Sequence, residues 1–462
     1  MKKVIIIAVS LVIFTIISLI ILNTGSNANV LYLLNWGEYI NEDVVKEFEN
    51  EYNCLVIEET VTSSETMYQK VTAGTTGYDV AIPGDYMVNK MYQEGLLEKL
   101  DVNNEDLEML NASFSQEESI FNATLQTLIE NPKNGLNDKK DYFRPYFWGA
   151  YSIIYNTSNK STESIVKNNG FGALFDRNLY DFDVKIGMYN TARWAVAAYQ
   201  MYQNQDVNAE NLDINKISSD IKKAKFDVWG DDQLKRKTAI GDLDLCFTQL
   251  GDFFDALYLT LDENNYSGQN GTEILNKVKF NVNIPSNSAA FFDAMVIPTT
   301  TQNKTLANQF INFMLRTEHA FDNATAIGYC PTLKEVAECY QSPEKLQEVF
   351  KDGAQDRSYY YFVDENSNRN ITLKEFVDYY PQYLNPLGTD TNIENSLFEP
   401  KDSDYMTMCE KIVNQAKSDV SPNSNLGTII CYGVLSVVGV SIITYIAFIL
   451  VKNKKKNERV SK

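Results

Sequence analysis

Asn35-Trp36-Gly37-Glu38-Tyr39 sets an indole, a carboxylate and a phenol within five residues, directly behind the apolar run Val30-Leu31-Tyr32-Leu33-Leu34. A flat ring stacks on a cation and a carboxylate pairs with it, so the chemistry this group offers is amine recognition. Taken alone, the five residues also fit a tryptophan that plugs a core. Their position behind a strand matters, because open α/β sheets bind ligands where their strands end.

The surrounding pattern supplies such a sheet. Val30–Leu34 reads as a strand, and Asn41-Glu42-Asp43 opens a helix with Val44, Val45, Phe48 and Tyr52 at helical spacing. Leu55-Val56-Ile57 reads as a second strand. Ser63-Ser64-Glu65 caps a helix to about Thr72, which Gly74 and Gly77 break. Tyr78 to Pro83 forms a third strand, and Gly84-Asp85-Tyr86 opens a third helix. This βαβαβ order is the start of a parallel, doubly wound sheet. Further strands are expected at 147–155, 184–188, 243–247 and 292–297, and helices at 191–204 and 301–326. Residues 353–400, rich in Asp, Asn and Tyr, show no clear element.

Composition narrows the class. The 462 residues suffice for two or three domains with real cores. Val4–Leu22 and Leu426–Val451 are uncharged apolar runs, and basic residues flank the outer end of each. Both are long enough to span a bilayer, and the charge asymmetry places both termini in the cytoplasm and the middle outside. The first run reads either as an uncleaved anchor or as a signal peptide with a site near Ser26-Asn27-Ala28. Pro422-Asn423-Ser424-Asn425 reads as a tether into the second. The two ends hold eight of the 41 basic residues and one of the 61 acids, which leaves 33 against 60, a net −27, between them. Such a field repels nucleic acid and attracts cations.

Six scattered cysteines form no C-x-x-C pair; Cys330 and Cys339 could pair or stay free. The single histidine, His319, is expected on a helix surface, so no His-rich metal site and no Ser-His or Cys-His pair is indicated without it. No Walker loop, nucleophile elbow or metal motif appears, and no cofactor and no enzyme activity are expected.

Several segments resemble, in order, the bacterial spermidine/putrescine-binding proteins, the extracytoplasmic receptors of polyamine ABC transporters. Asn35–Tyr39 resembles that family's N-W-x-[DE]-Y opening, Ser64–Lys70 its S-x-E-T-M-Y-x-K segment and Tyr78–Val88 its Y-D-[LV]-x-x-P-S-x-Y-x-V segment. Pro145–Gly149 is similar to P-Y-x-W-G, Phe291–Pro298 to W-x-D-x-x-x-I-P, and Ala320–Pro331 to a helix ending in I-G-Y-x-[ST]-P. The likeness covers roughly residues 30–335 and weakens toward 420.

The resemblance implies an α/β, two-lobed periplasmic-binding-protein-like fold with a central cleft; the apolar ends add flanking N- and C-terminal transmembrane helices. The organisation expected is an anchor or signal peptide at 1–28, a first lobe at 29–147 and 291–335, a second at 148–290 and 336–421, and a C-terminal transmembrane helix with a basic tail at 422–462. The cleft would close on ligand by a hinge motion. By matched position, Trp36 resembles a wall for polyamine methylenes, Glu38 and Tyr39 resemble ammonium partners, and Tyr86 and Tyr329 resemble ligand-contacting tyrosines. Asp293 resembles the carboxylate that anchors an amino group. Phe291 stands where a second Trp is usual, and Asp252 resembles the aspartate of a putrescine-type W-x-G-D segment. Plain packing roles for Tyr86, Phe291 and Tyr329, and capping roles for Asp252 and Asp293, stand beside these readings.

The departures fall in the second lobe. A D-x-x-E segment aligns with Tyr189–Trp194 and leaves Thr191 and Trp194 in place of its acids. Gln249 replaces the Trp of W-x-G-D, and Gly84 replaces a Ser, with Asp85 beside it as a compensating acid. The expected function is a membrane-tethered extracellular receptor that hands putrescine or spermidine to an ABC permease. The alternatives are a receptor for another cation or for ferric iron, an ectoenzyme using Glu38 and Asp293 as paired carboxylates, and a sensor without transport.

Overall fold

The computed structural model describes residues 29–114, 119–264, 270–362, 370–388 and 397–418. Among the described residues its main sheet has ten strands, in two halves that meet on a single long strand. In the first half, β1 (Asn29–Trp36) lies between β2 (Cys54–Val61) and β3 (Val80–Ala81), parallel to both. In the second, β5 (Ile186–Tyr189) lies parallel to both β6 (Val228–Gly230) and β7 (Leu245–Gln249). Between them runs β4 (Phe143–Asn156), all fourteen residues buried. Residues 143–150 of β4 pair antiparallel with β9 (Ala290–Val296), which pairs in turn with β3. Residues 151–156 pair with β7 and with β8 (Phe280–Asn283). The chain thus changes halves inside β4 and returns through β9, a two-lobed α/β periplasmic-binding-protein fold.

Burial explains the strand composition. β4 is covered on both faces and reads Phe-Trp-Gly-Ala-Tyr-Ser-Ile-Ile-Tyr without alternation, as a central strand does. β2 is an edge strand, and its exposed Leu55 and Ile57 mark that. The helices Glu42–Tyr52 and Ser64–Ala73 start where Asn41 and Ser63 accept backbone N–H groups as caps.

Three expectations change. No helix among the described residues is long and apolar enough to cross a membrane. The longest of them, Ser403–Lys417, has 15 residues and includes Asp404, Glu410, Lys411 and Lys417, whereas a span needs about 20 apolar ones. The expected flanking transmembrane helices are thus no part of the described fold, and the runs 4–22 and 426–451 that suggested them lie outside the described residues. The stretch 301–326 is two helices, Lys304–Met314 and Thr317–Ile327. His319, expected at the surface, is 7% exposed and stacks on Phe313 at 3.7 Å, where burial lowers its pKa to about 4 and keeps it neutral. The open cysteine question resolves to free thiols at Cys330 and Cys339.

Candidate functional site

The parallel strands of both halves point their C-terminal ends at one cavity of about 530 Å³. Trp36 at the end of β1, Thr62 behind β2 and Gly84–Tyr86 behind β3 line it from the first lobe. Tyr189 and Asn190 from β5, Asp231 and Asp232 behind β6, and Gln249 at the end of β7 line it from the second. This is where open α/β sheets place ligands, because the loops after the strands are free to vary while the sheet holds them.

The walls are aromatic. Trp36 is fixed by its indole N–H, which donates to the Ile82 carbonyl at 2.8 Å. Tyr39 meets Tyr329 edge to face, with ring centroids 5.0 Å apart. Tyr151, on β4, stacks on Phe398 at 5.2 Å and on Phe247 at 5.5 Å and touches the Phe291 ring. Trp194 packs against Tyr151 and Tyr189 at 5.6 and 5.0 Å and lines the cavity in place of the acid expected at its position. Two glycines permit the approach of rings. A Cβ on Gly251 would lie 2.3 Å from the Tyr329 ring, and one on Gly149 would lie 2.8 Å from Phe291.

The carboxylates differ in what they already hold. Asp293, on β9, accepts the Tyr39 hydroxyl at 2.7 Å; burial pushes its pKa up to about 7, against the opposing pull of that hydrogen bond. Asp85 begins the helix Asp85–Gln93, and its two oxygens accept the N–H groups of Phe292 and Tyr86. It is therefore a backbone staple between β9 and this helix, and burial pushes it up to about 8. Asp252 lies at the third position of the helix Leu250–Glu263 and forms a capping box with Gln249. It accepts from Thr248 Oγ1, from the Gln249 N–H at 3.1 Å and from the Tyr189 hydroxyl at 3.1 Å, and the Tyr329 hydroxyl lies 3.4 Å from its other oxygen. The capping role and the cavity position weighed separately for Asp252 are both present. Burial raises its pKa, and nearby Lys235 opposes the rise.

Eight of the nine residues singled out by resemblance line the cavity: Trp36, Tyr39, Asp85, Tyr86, Asp252, Phe291, Asp293 and Tyr329. Glu38 does not. Its backbone turns into the left-handed region, φ 54°, and leaves the residue exposed. The pairing of Glu38 with Asp293 that an ectoenzyme would need is therefore not formed. The structure adds Glu65, whose Oε1 accepts the Tyr86 hydroxyl at 3.0 Å, together with Asp231, Asp232, Tyr151, Tyr189 and Phe398. Glu65 lies within the S-x-E-T-M-Y-x-K segment and was legible there. Phe398 carried no local signal.

Comparison with known proteins accords with this architecture. The model for the bacterial extracellular solute-binding protein family matches residues 43–352. The spermidine/putrescine-binding periplasmic protein of Salmonella typhimurium is 27% identical over 330 residues, 69% of this chain and 82% of that protein. The Escherichia coli putrescine-binding periplasmic protein PotF is 22% identical over 308 residues, 63% of this chain and 75% of its own. Among solved structures, a spermidine/putrescine ABC transporter protein from Listeria monocytogenes superposes with a TM-score of 0.56 at 23% identity, over 84% of this chain and 99% of that one, a likeness of fold. With the family model covering about two thirds of its length, this chain belongs to the bacterial extracellular solute-binding proteins.

Proposed function

We propose that the protein captures a polyamine, of the putrescine or spermidine kind, and delivers it to an ABC permease on the outer side of a membrane. The observation that carries this reading is the cavity itself: an aromatic channel with a buried carboxylate, Asp293, that accepts the Tyr39 hydroxyl. A linear polyamine is a short apolar rod with charged ends. Its methylenes need flat walls, and each buried ammonium needs a carboxylate, without which desolvation costs several kcal/mol. Trp36, Phe291, Tyr151 and Trp194 supply walls, and cation–π contacts add about 0.5–2 kcal/mol each. Asp293, with Tyr39 holding one oxygen, supplies the first ammonium site, and Glu65 lies at the same lobe's rim. The names of the relatives support the ligand class.

On this reading β4 and β9, the strands that pass between the halves, are the hinge about which the cleft closes. Isothermal titration of the folded protein with putrescine and with spermidine tests the reading. Heat from at least one is expected, and heat from neither would sink it.

A further inference from the structure

Lys235 stands behind the cavity wall, against a carboxylate that the resemblance assigns to a ligand. Its Nζ lies 2.8 Å from Asp255 Oδ2, 3.2 Å from Asp232 Oδ1 and 3.8 Å from Asp252 Oδ1, and its side chain is 11% exposed. Asp232 and Asp252 both line the cavity. An ammonium on a covalent stem therefore already sits against the second-lobe carboxylate to which an amine would otherwise be assigned. A second cation is built in nearby. The Arg193 guanidinium, in the Tyr189–Trp194 segment that lacks its expected acids, lies against both the Tyr86 and Phe398 rings, at 4.8 and 4.7 Å, and donates to the Glu399 carbonyl. By contrast, Asp293 and Glu65 in the first lobe have no lysine or arginine paired with them among the described residues.

Resting on the polyamine reading above, we propose that Lys235 is an internal counter-ion and a specificity-determining residue: from behind the cavity wall it holds Asp252, the second lobe's buried carboxylate, so that the cleft selects a diamine over a triamine. A triamine would bring its third charge to a lobe whose one buried carboxylate at the cavity, Asp252, already has a cation beside it. At that wall it would be met only by the exposed Asp231 and Asp232, whose attraction water screens, and the tethered Lys235 cannot leave Asp252 to make room. A diamine brings no such surplus.

The test is calorimetric titration of the wild type, Lys235→Met and Lys235→Arg with putrescine and with spermidine. The wild type is expected to bind putrescine at least tenfold more tightly than spermidine. Lys235→Met should move that ratio at least tenfold toward spermidine, and Lys235→Arg, which keeps the charge, should leave it in place. A folded Lys235→Met protein with the wild-type ratio overturns the inference and leaves the polyamine reading standing. A wild type that binds both amines equally, or prefers spermidine, overturns it with no variant needed, so the test survives a Lys235→Met protein that does not fold. A wild type that binds neither amine overturns the polyamine reading and this inference with it.

Discussion

Asp293 and Asp252 are both buried at the same cavity, and each has a tyrosine hydroxyl within hydrogen-bonding reach, yet the two lobes use them differently. Asp293 stands on β9 and accepts the Tyr39 hydroxyl. Asp252 caps a helix, takes a threonine hydroxyl, a backbone N–H and the Tyr189 hydroxyl, and has Lys235 at 3.8 Å. On the proposed reading one carboxylate is left for a ligand, while the other is taken up by the fold. A carboxylate in a cleft binds a cation only with the capacity that the protein's own donors leave over.

The contrast can be broken by substitution. The largest expected effect on binding is Asp293→Asn, which should cost about 2–4 kcal/mol of putrescine affinity by calorimetry while the melting temperature holds. Asp252→Asn should act the other way round. It should lower stability by about 1–3 kcal/mol, read by thermal or urea unfolding, because it weakens a capping box and removes a buried acceptor of several hydrogen bonds, and it should change putrescine affinity less than Asp293→Asn does. If Asp252→Asn abolishes binding and leaves stability intact, the assignment of roles to the two lobes is wrong. Trp36→Ala removes one wall and should cost about 1–2 kcal/mol of binding.

A change of pH sharpens the same comparison. Burial pushes Asp293 up to about 7 and Asp85 up to about 8. Both folded values lie above the ordinary carboxylate value of 3.8, so between about pH 4 and 8 the folded protein holds protons that the unfolded chain releases. Their contribution to stability is present at pH 4 and is lost as pH rises through 7 and 8. The ligand-free protein should therefore gain stability from these two groups as pH falls from 8 to 5. An ammonium needs Asp293 ionised, so putrescine affinity should run in the opposite direction and fall below pH 7, by up to roughly tenfold per unit. Titrations at pH 5.5, 7 and 8 check the sign, and Asp293→Asn should flatten the profile. The smallest effect is expected from Glu38→Gln. Its side chain is exposed and outside the cavity, and affinity should shift by less than about 0.5 kcal/mol.

Legibility in the sequence followed range along the chain. The βαβαβ opening could be read because strand and helix periodicities are local, and the end of β1 carried Trp36 and Tyr39 with it. The capping arrangement of Gln249 and Asp252 spans three residues and was among the readings available. Asp85 read as an acid that could compensate for a missing one; only the packing of β9 against its helix turns both its oxygens to N–H groups. The surface position expected for His319 failed because helix periodicity does not say which neighbour covers a face, and Phe313 does. Phe398 lies more than 200 residues from the Arg193 it covers, and nothing near either position announces the contact.

By itself, then, the sequence determined the α/β class through short-range patterns and, through the ordered family segments, the two lobes and the first lobe's rim, whose residues reach the cleft from strand ends. Tertiary structure alone decided which acids stay available. Whether Asp293, Asp85 or Asp252 can receive a cation depends on donors that arrive from other strands and helices, Tyr39, Phe292 and Lys235 among them. The strength of a buried charge is set by the groups that surround it in space, and those are not its neighbours along the chain.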